Sequence, residues 1–258
     1  MKAHLAIAAT LADRPLVLDE FLSCLGYLDA GEADVSYVLA YGGDDERCRS
    51  AIRNFAEASP GRTTLTGVPA GPLPGEQALD ELVAAALALG ATNVLLLSGD
   101  LLVPPPVPAH LLSLGVDIAS EVFWTDWGNG SGPLPSAWQC DQYGLYSPEV
   151  AHAPLQDKVA SEKAFLARLR EPGTYPVGGV SSACTLLSRS AFEAGATFQP
   201  IPNLTLWGLD RHFCVRAGAL GYTLWADTHY PPLHVRQEAD LSMAEHFWSR
   251  WLPQEALL

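Results

Sequence analysis

Asn93-Val94-Leu95-Leu96-Leu97-Ser98-Gly99-Asp100-Leu101-Leu102-Val103-Pro104 is the stretch that decides the fold. Val94 to Leu97 are apolar without alternation and too few to fill a helix, so they read as a strand covered on both faces, as in a parallel sheet. The strand runs into Ser98-Gly99-Asp100, and ligands of open α/β sheets gather beyond the carboxyl ends of the strands. A carboxylate therefore stands at the mouth of a crevice, and Asp100 is the first functional candidate.

Upstream, the chain alternates strand and helix. Leu5 to Ala9 reads as a strand, Asp13 can cap a helix with Pro15 in its first turn, and Leu18, Phe21, Leu22, Leu25 and Leu28 follow helical spacing. Val35 to Ala40 is a second strand ending at Gly42-Gly43-Asp44, and Glu46 to Ala58 a helix stopped by Pro60-Gly61. Thr63 to Val68 is a short strand, Pro69 to Gly75 a turn region, and an Ala/Leu-rich helix from Glu76 ends at Gly90, a suitable cap.

Downstream, a helix over about 109–114 and a strand over Val116 to Val122 precede an excursion from Phe123 to Tyr146. There Trp124, Trp127, Trp138 and Tyr143 sit among Gly, Pro, Ser and Asp. Long loops of this kind carry function, and flat aromatic faces suit stacking on sugars; an aromatic cluster that merely pins the loop is the competing reading. Helix Ala160 to Leu169, Gly178-Gly179, strand Ser181 to Leu187, a helix carrying Phe213, Cys214, Ala217 and Leu220, and strand Tyr222 to Ala226 complete the pattern.

Composition narrows the function. The 258 residues can bury one large core, and they read as a single domain with 48% hydrophobic residues and a mean hydropathy of +0.11. No apolar run approaches the length of a bilayer span. With 29 acidic against 15 basic residues the net charge is −14, which speaks against nucleic acid as a partner. A nucleotide substrate would need a divalent cation, or one Arg beside the carboxylates, to offset its phosphates. The five cysteines include no Cys-x-x-Cys pair, which suits reduced thiols and a cytoplasmic location. Met1 to Ala12 faintly imitates a secretory signal, but Asp13-Arg14-Pro15 opens a helix directly afterwards, so a buried first strand is the preferred reading.

Alternating strands and helices, a strand ending in a carboxylate at Asp100, and a later Trp207-Gly208-Leu209-Asp210 opening a helix together resemble the GT-A glycosyltransferases, family 2-like enzymes in particular. The resemblance runs from Leu5 to His234. It implies a Rossmann-like, mostly parallel central sheet flanked by helices, with residues 1–103 as the nucleotide-binding half and 104–258 as the acceptor half. Ser98-Gly99-Asp100 takes the place of the family's Asp-x-Asp, so Asp100, with His234 matching a C-terminal histidine of some members, would hold Mn²⁺ or Mg²⁺ on a nucleotide-sugar diphosphate. Ala9, Thr10, Gly42 and Asp44 fall where the family receives the nucleotide, and Gly178-Gly179 where it receives the donor sugar. Asp210 matches the general base of an inverting transfer, and Trp124, Trp127, Trp138 and Trp207 are candidates for acceptor contact. Ser98 replaces the family's first Asp and Leu209 its usual Glu. A homodimer is left open.

Two rivals accompany this reading. A nucleotidyltransferase would want a Gly-rich, basic loop after the first strand, where Ala9-Thr10-Leu11-Ala12 stands; a binding protein that kept the fold and lost catalysis is favoured by Ser98 and Leu209. A Rossmann dehydrogenase is disfavoured because no Gly-x-Gly-x-x-Gly follows the first strand.

Overall fold

The computed structural model describes residues 3–11, 14–59, 63–67, 75–128, 130, 132–204 and 208–252. Its first half repeats strand and helix: β1 (His4–Thr10), α1 (Pro15–Tyr27), β2 (Asp34–Tyr41), α2 (Glu46–Ala58), β3 (Thr63–Gly67), α3 (Gly75–Ala88) and β4 (Asn93–Ser98). A short strand β5 (Leu101–Leu102), α4 (Val107–Ser113) and β6 (Ile118–Glu121) follow. The aromatic excursion holds three two-residue strands, β7 (Trp124–Thr125), β8 (Leu134–Pro135) and β9 (Ala137–Trp138). Then come α5 (Leu155–Arg168), β10 (Thr174–Val177), β11 (Gly179–Val180), β12 (Cys184–Ser188), α6 (Arg189–Glu193), α7 (Leu209–Ala219), β13 (Leu224–Asp227), β14 (Leu233–His234) and α8 (Ala244–Trp251).

The main sheet has eight strands in the order β10-β13-β6-β12-β4-β1-β2-β3. Strands β3, β2, β1 and β4 are mutually parallel, as right-handed βαβ crossovers require. On its other side β4 meets β12, which runs antiparallel to both β4 and β6, so the sheet is mixed at its centre. The run Val94 to Leu97 is buried on both faces as its composition demands, but one of its neighbours is reversed. β12 alternates no more visibly than a parallel strand, because burial on two faces, not strand direction, sets that pattern.

Successive sheet residues feed two cores. Leu5, Ile7, Leu39, Leu95, Leu97 and Leu186 pack with α1, α2, α4 and α8. Ala6, Ala8, Val38, Val94, Leu96 and Leu187 pack with α3, α5, α6 and α7. Helix α8 was not legible as periodicity, yet Ala244, Phe247 and Trp248 are buried in the first core, and the Trp248 indole N–H donates to Glu20 at 3.1 Å. Gly90 closes the turn after α3 at φ +90, its N–H donating to the Leu87 carbonyl, where any side chain would be strained. Asp13, read as the cap of α1, lies outside the described residues.

Candidate active site

The carboxyl ends of β1 and β4 lie side by side, with Thr10 opposite Ser98 and the Gly99 N–H donating to the Thr10 carbonyl at 2.8 Å. The turn after β4 folds Asp100 back so that the Ser98 hydroxyl donates to its Oδ1 at 2.6 Å. β14 then pairs antiparallel with β5, setting His234 opposite Leu101 and bringing its Nε2 to 3.4 Å from Asp100 Oδ2. The Thr125 hydroxyl and His234 Nδ1 are hydrogen-bonded at 2.8 Å, which fixes the ring with Nε2 facing the carboxylate. Arg14, at the start of α1, adds a guanidinium 3.6 Å from the same Oδ2. Burial pushes the Asp100 carboxyl up, but hydrogen bonds from His234 and Ser98, with the charge of Arg14, more than reverse it. Asp100 therefore titrates below the usual carboxylate value and is an anion at neutral pH.

Asp210 lies in the first turn of α7. Its Oδ1 accepts from the Ser182 N–H at 3.0 Å and the Ser182 hydroxyl at 2.6 Å, bonds that fix the carboxylate against the start of β12. Burial dominates here and raises its pKa above the usual 3.8, against the lowering effect of Ser182. A carboxylate so desolvated is a better proton acceptor than one in water.

Gly208, which leads into α7, has φ +78, and a Cβ there would come within 1.5 Å of the Tyr143 hydroxyl oxygen. The glycine of Trp-Gly-x-Asp is thus needed twice, for a left-handed backbone and for the close approach of the aromatic loop. That loop is tied to α7 a second time, by a bidentate pair from Arg211 to Asp141 at 2.5 and 2.8 Å. Between these ties Gln142 and Tyr143 both hold positive φ, 62° and 60°, a local strain at the lip of the site.

Asp100, His234 and Asp210 open onto one cavity of about 740 Å³. Ser98, Ser181 and Ala183 line its floor; Phe123, Thr125, Trp127, Trp138, Gln142 and Tyr143 come from the loop. Its volume lies within the range of small-molecule sites, with apolar walls and a few convergent polar groups.

No family model matches the chain, and no curated protein matches its sequence. Solved structures do match. A mannosyltransferase from Pyrobaculum calidifontis, in complex with GDP-Man and Mn²⁺, aligns with a TM-score of 0.59 at 13% identity over 97% of this chain. S. aureus TarS, residues 1–349, aligns with a TM-score of 0.53 at 10% identity over 90% of this chain. The chain has a GT-A-like fold. It spans only about three-fifths of these structures, 62% and 59% of their lengths.

Within this GT-A-like frame, six of the candidates, Ser98, Asp100, Trp127, Trp138, Asp210 and His234, line the one cavity. Gly99 forms the turn at its edge. The other candidates lie elsewhere. Ala9 is fully buried in the first core, so its side chain has no access to a ligand. Thr10 ends β1, with its carbonyl occupied by Gly99. Gly42 and Asp44 are exposed; Asp44 pairs at 2.8 Å with Arg49, which lines a separate hollow of about 250 Å³. Gly178 and Gly179 press against Gln139 and Trp138, leaving 2.1 Å for any Cβ, and this packing against β9 already accounts for both glycines. Trp124 stacks under Arg170, 4.5 Å from its ring, away from the cavity lining. Trp207 lies outside the described residues.

Sequence reading passed over Arg14, Thr125, Ser182 and Arg236. The requirement for an arginine beside the carboxylates was readable from the net charge, and Arg14 meets it; nothing in the local sequence singled it out. Arg236 lies over the Trp127 ring at 4.8 Å, donates to the Asp126 carbonyl, and through its own carbonyl accepts from Arg14 at 2.5 Å. Two guanidinium groups thus converge on the rim of an otherwise acidic protein.

Proposed function

We propose that this protein is a glycosyltransferase that moves a sugar from a nucleotide-sugar donor to an acceptor hydroxyl with inversion. The observation that carries this reading is the shared cavity: an anionic Asp100 with its His234 partner on one side, a desolvated Asp210 on the other. Residues 1–103 supply the nucleotide side and residues 104–258 the acceptor side. In the transfer, Asp210 takes the proton of the acceptor hydroxyl as its oxygen bonds the anomeric carbon; the bond from that carbon to the diphosphate oxygen breaks, and the nucleoside diphosphate leaves with the electron pair.

A carboxylate oxygen and an imidazole nitrogen 3.4 Å apart are spaced for adjacent positions around one divalent cation and suit Mn²⁺ or Mg²⁺. Such a cation, held by Asp100 and His234, would stabilise charge on the departing diphosphate. Arg14 serves the same end as a fixed cation of the chain. Trp127, exposed at the rim beneath Arg236, offers a flat face for the acceptor.

A thermal-shift screen of sugar nucleotides with and without Mn²⁺, beginning with GDP-mannose, followed by release of nucleoside diphosphate from whichever binds, tests the proposal. Stabilisation by a sugar nucleotide together with turnover lost in Asp210→Asn supports it; pyrophosphate release or indifference to every sugar nucleotide refutes it. Binding without hydrolysis or transfer would favour the second reading, a sugar-nucleotide binding protein, to which Ser98 in place of a first metal-binding carboxylate already points.

A further inference from the structure

Outside the cavity, Glu121 ends β6 and Asp227 ends β13, and the two residues are direct partners across that parallel pair. Both carboxylates are fully buried. Among the described residues no Lys or Arg forms an ion pair with either. Instead, two imidazoles converge on one oxygen of Asp227: His229 Nδ1 at 2.9 Å and His110 Nε2, from α4, at 3.1 Å. The remaining oxygen of Asp227 accepts from the Thr174 hydroxyl at 2.6 Å, which fixes the carboxylate plane. Glu121 Oε1 accepts from the Tyr230 N–H, while Glu121 Oε2 and His110 Nε2 are both buried and without a hydrogen bond.

We infer that His110, Asp227 and His229 form a second divalent-metal site of the zinc type, with Glu121 beside it. The three ligand atoms lie within 4.8 Å of one another. Tetrahedral Zn²⁺ with bonds of about 2.0–2.1 Å needs donors about 3.4 Å apart, so the triad closes on the ion with small side-chain adjustments. Two imidazoles and a carboxylate are a donor set of zinc proteins, leaving a fourth position for water or for Glu121 Oε2. The hydrogen bond from Thr174 is the kind of outer support that orients a ligating carboxylate. His110 and His229 keep 21% and 35% of their side-chain surface exposed, which gives an ion a way in.

The site has a structural consequence. Asp227 and His229 begin the segment that ends at His234, so a metal there would anchor the start of the loop that delivers His234 to Asp100. The inference rests on the β6–β13 cluster and stands whether or not the protein transfers sugars.

The test uses Co²⁺ as a spectroscopic stand-in for Zn²⁺ on chelator-stripped protein. Wild type and the double variant Asp100→Ala/His234→Ala should each show one equivalent of Co²⁺ with four-coordinate visible absorption, over and above any Co²⁺ that wild type holds at Asp100 and His234. That absorption should carry no thiolate charge-transfer band. His229→Ala, chosen because its side chain is partly exposed, and His110→Ala should lose the signal while retaining the wild-type far-ultraviolet circular dichroism. Zn²⁺ should raise the melting temperature of wild type and of the Asp100/His234 variant but not of His229→Ala. Absence of the visible band in wild type, its survival in folded His110→Ala and His229→Ala, or its loss on removing only Asp100 and His234 would each overturn the site.

Discussion

His234 Nε2 stands 3.4 Å from Asp100 Oδ2 across 134 positions of sequence, because a two-residue strand pair, β14 on β5, is enough to bring the segment after β13 back to the turn that follows β4. If the two residues share a cation, the hydroxyl of Thr125 on the far side of the imidazole sets how well it does so. Chelation should then abolish transfer and Mn²⁺ restore it. Thr125→Val should raise the Mn²⁺ needed for half-maximal rate by about 10–100-fold, and His234→Ala by at least as much. Metal titration of the rate measures both; equal Mn²⁺ dependence in wild type and His234→Ala would remove His234 from the metal.

Arg14 is the chain's own cation at the Asp100 end of the cavity. Its loss should weaken the hold on a diphosphate rather than the proton transfer at Asp210. Arg14→Gln is expected to raise KM for the donor by about tenfold, the lower end of a charge-assisted bond discounted for partial exposure, with a smaller change in kcat. Raising salt should narrow the gap between variant and wild type. A fall in kcat at constant KM would instead mean that Arg14 only orients Asp100.

How far the sequence led is visible at Asp100 and Asp210. Each follows a local pattern, apolar run then small-Gly-Asp, or Gly two places before an Asp that opens a helix, and each reached the cavity. What the sequence hid is non-local. The reversed direction of β12 leaves no mark on a strand buried on both faces. Ser182 gains its meaning only when β12 and α7 pack together, and the Asp227 cluster draws its donors from α4, the end of β13 and the turn after it. Glycines misled in one respect: Gly178-Gly179 read as a ligand-binding segment, while the space they save belongs to Gln139 and Trp138.

The aromatic loop holds two kinds of tryptophan. Trp138 is 5% exposed and meets Tyr143 edge to face at 4.6 Å, whereas Trp127 is 56% exposed. Trp138→Ala should cost about 3–5 kcal/mol of stability, as expected for a buried indole. Trp127→Ala should change stability by less than about 0.5 kcal/mol yet raise KM for the acceptor, leaving donor hydrolysis untouched. Thermal melts and acceptor-dependent kinetics on the two variants separate the roles; an unchanged acceptor KM in Trp127→Ala would leave that ring with no part in binding.

Asp210 joins a functional demand to a cost in stability. Burial raises its folded-state pKa above the usual 3.8, so its ionised form is disfavoured by folding. By linkage, its contribution to stability is greatest when it is protonated, at pH below the unfolded value, and is lost as pH rises through the raised folded value. Asn at this position keeps an oxygen to accept from Ser182 and carries no charge. Asp210→Asn should therefore melt no lower than wild type at neutral pH, and donor should stabilise it as much as before. Its transfer rate should nonetheless fall by about 10²–10⁴-fold, the value of a positioned general base. In wild type the acid limb of kcat should lie above the ordinary aspartate range, since only the ionised carboxylate accepts a proton. A pH–rate profile beside melts of both proteins checks each part, and full turnover in a well-folded Asp210→Asn would assign the base elsewhere.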